Sequence, residues 1–464
     1  MSDASTVSRA GTPSSPHPQR WKILGFLGVA QLMLILDVTV VAIALPHLAT
    51  DLGLARDTVT WVVSGYTLTF GGLLLLGGRA ADLLGARHLV QAGLLLFAAA
   101  SLVAGLATSG PMLLGGRVAQ GVAAAVLSPA ALSLVVTLFE GDERNKALGV
   151  WSALGGSGAA LGVLLGGVLT AGPGWPWVFF VNVPVGVLLA FALRLRLPSQ
   201  PAPAHRGRLD ILGAALVTAA TGTLIYALIR AGDHGWVTAT TGILVGASAL
   251  LYVAFVVRQR VAVSPLMDVR VLARRPVATG TLLIVVATAL MIAVFFLGSF
   301  YFQDHQGYGA LQTGLLFLPV ALATMAGANT AGRVVGRAGP RRVGVVGLLL
   351  AAVGMGIPAV LAGPVAMVLG VAVAAAGTGA VFVVASATAL GQVEPHEAGI
   401  VSGIVSTFHE FGASLGAAVV SSMAAASIAG AGTEGFSDGF STGAVAAAAA
   451  ALVALVITPS PRAR

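Results

Sequence analysis

The stretch LGFLGVAQLMLILDVTVVAIALP, residues 24–46, decides the class of fold. It exceeds the roughly 20 apolar residues that cross a bilayer as a helix, and Asp37 is the only charge within it. No small-residue cleavage site follows, so it reads as a retained span, not a signal peptide. Comparable runs recur at about 59–78, 88–107, 111–138, 147–170, 177–193, 211–230, 239–257, 277–302, 311–332, 343–362, 364–391, 399–428 and 441–458. Connections such as 108–111 and 362–364 are long enough only for antiparallel neighbours. The rest of the composition agrees. Of 464 residues, 57% are hydrophobic and 9% charged, with a mean hydropathy of +0.94. Soluble domains carry about 25% charged residues, and 9% is too few to cover a soluble surface. The sequence therefore predicts an all-α integral membrane protein with fourteen transmembrane helices. It contains no cysteine, which excludes disulfides and thiolate metal sites.

A pI near 10.7 raises nucleic acid as a partner, and the position of the charge removes it. With the N-terminus cytoplasmic, Arg56 and Arg230 fall outside and Arg117 falls within a span. The other Lys and Arg, of 25 in all, fall inside. Cytoplasmic loops collect such residues, and a wrong span count would have scattered them. Both termini are expected in the cytoplasm. The preference for Arg over Lys, with heavy Ala, Gly and Val, points to a GC-rich bacterial genome and hence to the bacterial plasma (inner) membrane.

The chain also repeats itself at an offset of 254 residues. Gly78, Arg79, Gly85 and Arg87 align with Gly332, Arg333, Gly339 and Arg341; Glu140 and Glu143 align with Glu394 and Glu397. Gly149 and Ser152 align with Gly403 and Ser406, and Gly158 and Gly162 with Gly412 and Gly416. Two six-helix halves follow, with two further helices inserted between them. The expected division is a disordered cytoplasmic tail over 1–22, a first bundle over 23–197, a linker with the inserted pair over 198–275 and a second bundle over 276–460. Two like halves in a membrane place a site at their interface, served by rocking of one half on the other.

Several segments resemble a known family. The run Leu36-Asp37-Val38-Thr39 through Pro46 is similar to a first-span signature, with Ala42 where Asn is usual. Gly78-Arg79-Ala80-Ala81-Asp82-Leu83-Leu84-Gly85-Ala86-Arg87 is similar to a loop between spans 2 and 3, with Leu83 and Ala86 in place of basic residues. Arg117, Gln120 and Gly121 match a fourth-span motif, and Gly158, Gly162, Gly166 and Gly167 a fifth-span motif in which Val163 replaces Pro. Trp175, Trp177, Phe179 and Asn182-Val183-Pro184 match the start of span 6. Together they resemble the major facilitator superfamily, and within it the fourteen-span drug:proton antiporters of the EmrB/QacA type. The resemblance covers about 22–460. It implies the major facilitator fold and export of small amphiphilic compounds such as drugs, antibiotics or toxic metabolites. Protons would move in exchange. No cofactor is implied beyond the proton gradient.

Three ionisable side chains, Asp37, Arg117 and Glu410, sit well inside spans. Such a group costs roughly 2.5–3.5 kcal/mol at the helix centre, so each needs a partner, water or a role. A mid-membrane carboxyl group can change protonation as its access alternates between the two sides. The expectation is that Asp37 and Glu410 face a central cavity and bind protons in competition with substrate. The alternative is structural: Asp37 bonded to Thr39 or another helix, Glu410 paired with His409 or Arg117. By the repeat, Glu410 stands where the first half has Gly156. The resemblance adds Arg117 to a proton relay with Gln120; snorkelling is its bland reading.

Asp82 with Arg87, flanked by Gly78 and Gly85, is a candidate gating latch closing the cytoplasmic side. Gly158, Gly162 and Gly166 form a four-residue ridge for close helix packing, expected where the halves meet. Gln31, Trp61, Tyr66, Phe70, Gln120, Phe296, Tyr301, Phe317 and His409 are candidates for lining the cavity, although aromatics on spans also pack against lipid or core. Expected partners are the bilayer, protons and an amphiphilic or cationic small molecule, with no nucleic acid. A proton symporter or facilitator for a metabolite on the same fold stays open. A membrane-embedded enzyme acting on lipid is the distant alternative. The loops Glu140–Lys146 and Glu394–Glu397 show no metal-ligand or nucleophile–base spacing, and no phosphate loop ending in Lys-Ser or Lys-Thr is present.

Overall fold

The computed structural model describes residues 19–197, 208–391, 393, 397–428 and 434–458, and these are helical apart from short connections. The first six long helices are α1 (Arg20–Asp51), α2 (Arg56–Leu84), α3 (Ala86–Gly105), α4 (Gly110–Leu138), α5 (Gly141–Ala171) and α6 (Asn182–Arg196), the last preceded by a turn at Trp177–Phe180. Then come α7 (Ile211–His234) and α8 (Ala239–Val261). The last six are α9 (Arg275–Phe300), α10 (Ala310–Ala338), α11 (Pro340–Val360), α12 (Pro364–Leu390), α13 (Ala398–Met423) and α14 (Glu434–Ile457). A π-helical turn, Tyr301–His305, extends α9.

Thirteen helices among the described residues are long and apolar enough to cross a membrane. Helix is the form such segments take in lipid, because it satisfies every backbone polar group internally. α5 is 31 residues long, and Leu161–Ala171 is its apolar part among the described residues. The first helix begins at Arg20, inside the expected tail of 1–22. Residues 1–18, 198–207, 392, 394–396, 429–433 and 459–464 lie outside the described residues, Glu394 of the repeat among them.

The repeat is visible in the helix ends. α2 and α10 start at 56 and 310 and stop at 84 and 338. Gly85 and Gly339, which end them, both take positive φ, as do Gly53 and Gly307 before them; a side chain would strain these turns. Within each half the same pairs pack: α2 on α4 and α10 on α12, α1 on α5 and α9 on α13. The result is two six-helix bundles plus an inserted pair. α7 lies against both α2 and α13, so it rides on the boundary between the bundles, and α8 packs on α7.

The Gly158, Gly162 and Gly166 ridge does not lie where the halves meet. A Cβ at Gly158 would meet Ile35 at 2.6 Å, and Gly162 and Gly166 press on Thr39 and on Val40 and Ile43. The ridge seats α5 on α1 inside the first bundle. Gly167, one residue further, is the glycine at the boundary, against Ala310 and Leu311 of α10.

Candidate functional site

The two carboxylates singled out in the spans have opposite surroundings. Asp37 on α1 is 2% exposed and Arg117 on α4 is 1% exposed. They form a buried ion pair through Arg117 Nη1 and Asp37 Oδ2. Gln120 Nε2 and Asn182 Nδ2 donate to Asp37 Oδ1 at 3.0 and 3.2 Å. Arg117 Nε donates to the Val62 carbonyl at 2.9 Å, and Nη1 also donates to Gln120 Oε1 at 2.9 Å. Gln120 reaches Ser101 Oγ at 2.8 Å. The guanidinium lies 4.4 Å from the Tyr66 ring centroid, within cation–π range. Arg117 and Gln120 are three apart on α4 and so share a face.

Five helices, α1, α2, α3, α4 and α6, converge on this cluster, all from the first bundle. Desolvating a charge pair is repaid only when its remaining donors and acceptors are satisfied, and here Arg117 Nε and Nη1 and both oxygens of Asp37 have partners. Asp37 is thus fixed inside one half rather than facing a space between halves. The partner is Arg117, not Thr39, whose hydroxyl donates to Leu36 O. Asn182 and Ser101 were not among the expected site residues. Asn182, a polar residue one position before Val-Pro in an apolar run, was the available signal.

Glu410 on α13 is half-buried and faces α2 of the other bundle, where a Cβ added at Gly71 would lie 2.7 Å from its own Cβ. Among the described residues its carboxylate has no hydrogen-bond or ion-pair partner. Neither expected structural partner is used: His409 Nδ1 meets Thr288 Oγ1 at 3.0 Å, and Arg117 is committed to Asp37.

The remaining candidates divide. Tyr66, Phe296 and Phe317 are at most 1% exposed and belong to the packed core, as do Phe70 and Tyr301. Trp61 lines an apolar cleft of about 600 Å³ between α2 and α7, on the side of the bundle. Gln31 accepts from Ser128 Oγ at 3.0 Å within the first half. The expected latch is not made: Asp82 is exposed and forms no ion pair among the described residues, while Arg87 Nη2 donates to Arg194 O at 3.2 Å. No group of three or more potential metal ligands occurs among the described residues.

Polar contacts separate by end. At the Arg-rich end Arg20 pairs with Glu143, Arg274 with Glu397 and Arg258 with Asp210. Polar contacts between the halves lie toward the opposite end. His47 Nδ1 meets Gln303 Oε1 at 2.8 Å, and Gln303 Nε2 donates to Ile43 O at 2.9 Å. Thr60 and Ser421 hydroxyls meet at 2.5 Å. Gly314 of α10 abuts the Val163 carbonyl.

Comparison with known proteins fits this architecture. The model of the Major Facilitator Superfamily matches residues 27–417 and 294–464. The puromycin resistance protein pur8 of Streptomyces alboniger is 38% identical over 86% of this chain and 81% of its own length. The cephamycin export protein CmcT of Amycolatopsis lactamdurans is 36% identical over 83% and 81%. A probable actinorhodin transporter of Streptomyces coelicolor is 32% identical over 87% and 72%. Among solved structures, a bacterial homologue of the human lysosomal transporter Spinster, inward-facing and occupied, superposes with a TM-score of 0.68 over 96% of this chain and 98% of that one, at 16% identity. The peptide transporter POT in complex with sulfate gives 0.67 over 97% and 96%, at 18% identity.

Proposed function

Because the chain belongs to the Major Facilitator Superfamily, a family of transporters and not of enzymes, we propose that it exports small amphiphilic compounds of the antibiotic class in exchange for protons. The observation that carries this reading is Glu410, a carboxylate without a partner among the described residues, set where α13 meets α2. Relatives named for resistance to or export of puromycin, cephamycin and actinorhodin support the substrate class.

In this reading α5 supplies the fourteenth span, and the Arg-rich end faces the cytoplasm of a bacterial cell, as the charge bias of the loops favours. The bundles divide at about 23–197 and 276–460, around the linker and inserted pair at 198–275. The contacts between halves toward the Arg-poor end describe a form closed to the outside. Glu410 then exchanges its proton with the cytoplasm while substrate enters from that side. The Asp37–Arg117 cluster is a fixed charge pair against which Gln120 and Tyr66 are positioned, and the proton-carrying acid is Glu410. In the form closed to the cytoplasm, Asp82 pairs with Arg87 as a latch.

Glu410→Gln keeps the shape and removes the titrating group. In proteoliposomes an imposed proton gradient should then drive drug movement about ten-fold or more slowly, the loss expected for a positioned proton-transfer group. Drug exchange without a gradient should persist. Unchanged gradient-driven movement would refute Glu410 as the acid. Protons moving in the same direction as substrate would instead identify a symporter.

A further inference from the structure

Arg56 is one of two arginines that the topology leaves at the Arg-poor end, where the loop charge bias gives no reason for it. Its guanidinium is committed to backbone and hydroxyl acceptors on two other bodies. Nη1 donates to Ser421 O at 2.9 Å and to Ser421 Oγ at 3.1 Å, and Nη2 donates to Ile229 O at 3.2 Å. Arg56 opens α2, Ser421 lies in the last turn of α13 and Ile229 belongs to α7. One side chain therefore ties the first half, the second half and the inserted pair. The Ser421 carbonyl is among the last four of its helix, which lack a helical donor, and it sits at the negative end of the helix dipole.

Beneath Arg56 runs a ladder of hydroxyls. Thr60 Oγ1 meets Ser421 Oγ at 2.5 Å, Ser64 Oγ donates to Ser414 O at 3.3 Å, and Thr67 Oγ1 meets Ser414 Oγ at 2.5 Å. These five side chains are 0% exposed. Positions 60, 64, 67 and 71 step by three and four along one face of α2, and the last of them, Gly71, touches Glu410. An apolar seam would resist wetting when it parts. Hydroxyl pairs exchange their partners for water at little net cost, because each protein hydrogen bond replaces one to solvent.

We propose that Arg56 and the rungs Thr60–Ser421 and Thr67–Ser414 form the gate at the Arg-poor end, and that parting them admits water from outside to Glu410. The inserted pair joins the gate through the Ile229 carbonyl, which gives the extra helices a part in the cycle. The delivery of water to Glu410 rests on the reading of Glu410 as the proton-carrying acid; the gate itself does not.

The chain contains no cysteine, so Thr60→Cys with Ser421→Cys can be made directly in it. Oxidation should lock the seam and abolish gradient-driven transport, and a reductant should restore it. Thr67→Cys, labelled from outside by a membrane-impermeant maleimide, should react about ten-fold or more faster when Arg56→Gln is added, ten-fold corresponding to the loss of one of its three charge-assisted hydrogen bonds. If Arg56→Gln does not fold, Thr60→Val removes a rung at constant shape and should speed labelling in the same direction. Transport by fully cross-linked protein, or labelling indifferent to both changes, overturns the gate. Glu410→Gln is scored separately: a blocked lock beside normal coupling in that variant keeps the gate and removes the acid.

Discussion

In the first bundle Asp37, Tyr66, Ser101, Arg117 and Gln120 fill the space between α1, α2, α3 and α4 with polar groups. At the positions 254 residues further on, the second bundle carries Met291, Val320, Met355, Val371 and Ala374, all packed into or against one apolar core. The helices are the same and the filling is opposite. A six-helix bundle of this shape therefore does not require a buried ion pair at this level. The second half inverts the arrangement at the seam. It presents Glu410 to α2, while the corresponding position of the first half is Gly156. One half holds a fixed charge and the other a free acid.

The comparison breaks most directly if the first half is given the filling of the second. Asp37→Met alone leaves Arg117 buried without its partner and should cost about 3–5 kcal/mol, read as a fall in thermal stability in detergent. Asp37→Met with Arg117→Val removes both charges and should recover most of that loss, since an apolar replacement of a buried pair is often neutral. The double variant should fold and fail to transport. Transport at the unmodified rate would make the cluster a packing solution only.

A smaller effect separates the seam from the interior of a half. Gly71→Leu places side-chain atoms against Glu410 and the Thr407 carbonyl across the seam, whereas Gly416→Ala presses on Ala289 within the second half. Each overpacks by roughly 1–3 kcal/mol. Only Gly71→Leu should also slow transport per folded molecule, measured as turnover in proteoliposomes. Equal slowing by both would show that the seam is no more mobile than the bundle interior.

The apolar spans and the repeat were legible because lipid imposes long apolar helices. Asp37, Arg117 and Gln120 stood out because ionisable and polar groups are rare in such runs. Their mutual contact was not legible. A helix surrounded by lipid and other apolar helices is apolar on most faces, so no stripe says which side meets which neighbour. The Gly158, Gly162 and Gly166 ridge shows the difficulty: its spacing announces a close approach, and nothing in it distinguishes α1 from a helix of the other half. Arg56 was visible as an exception to the charge bias, but its three-body role depends on carbonyls, which every residue has.

The inserted pair is held at the Arg-rich end by Asp210, which is outside the spans. Burial alone raises the pKa of this carboxyl, and the Gly213 amide, Arg258 and Gln259 outweigh it, so it lies below its ordinary 3.8. The stability it lends is fully present above that ordinary value and is lost as pH falls through the lowered one. Gly213 N donates to Oδ1 at 3.1 Å as a helix cap, and Arg258 is partly exposed and screened by solvent. Asp210→Asn keeps an acceptor for the cap and removes the charge, so it should cost about 0.2–1 kcal/mol, the share of a partly exposed pair. Acid unfolding of the unmodified protein should lose this increment only below about 3.8; a variant difference that vanished already at neutral pH would assign the cap no ionic part.

The smallest effect concerns what the halves keep in common. Arg20 pairs with Glu143 and Arg274 with Glu397, so both members of the ion pair recur at the same offset, clasping α1 to α5 and α9 to α13. Such pairs are partly exposed and should contribute about 0.2–1 kcal/mol each. The geometry predicts that the second is the stronger. Arg274 uses two nitrogens on two carboxylate oxygens at 2.6 and 2.9 Å, whereas both oxygens of Glu143 are approached by a single nitrogen of Arg20, at 2.7 and 2.9 Å. A planar fork on a carboxylate fixes direction as well as distance. Double-mutant cycles on thermal stability, with each partner changed to its neutral counterpart, should give a larger coupling for Arg274–Glu397, and the gap should narrow in high salt. The reverse order would mean that the duplicated clasp is held by burial, since Arg20 is the less exposed arginine, at 18% against 49%.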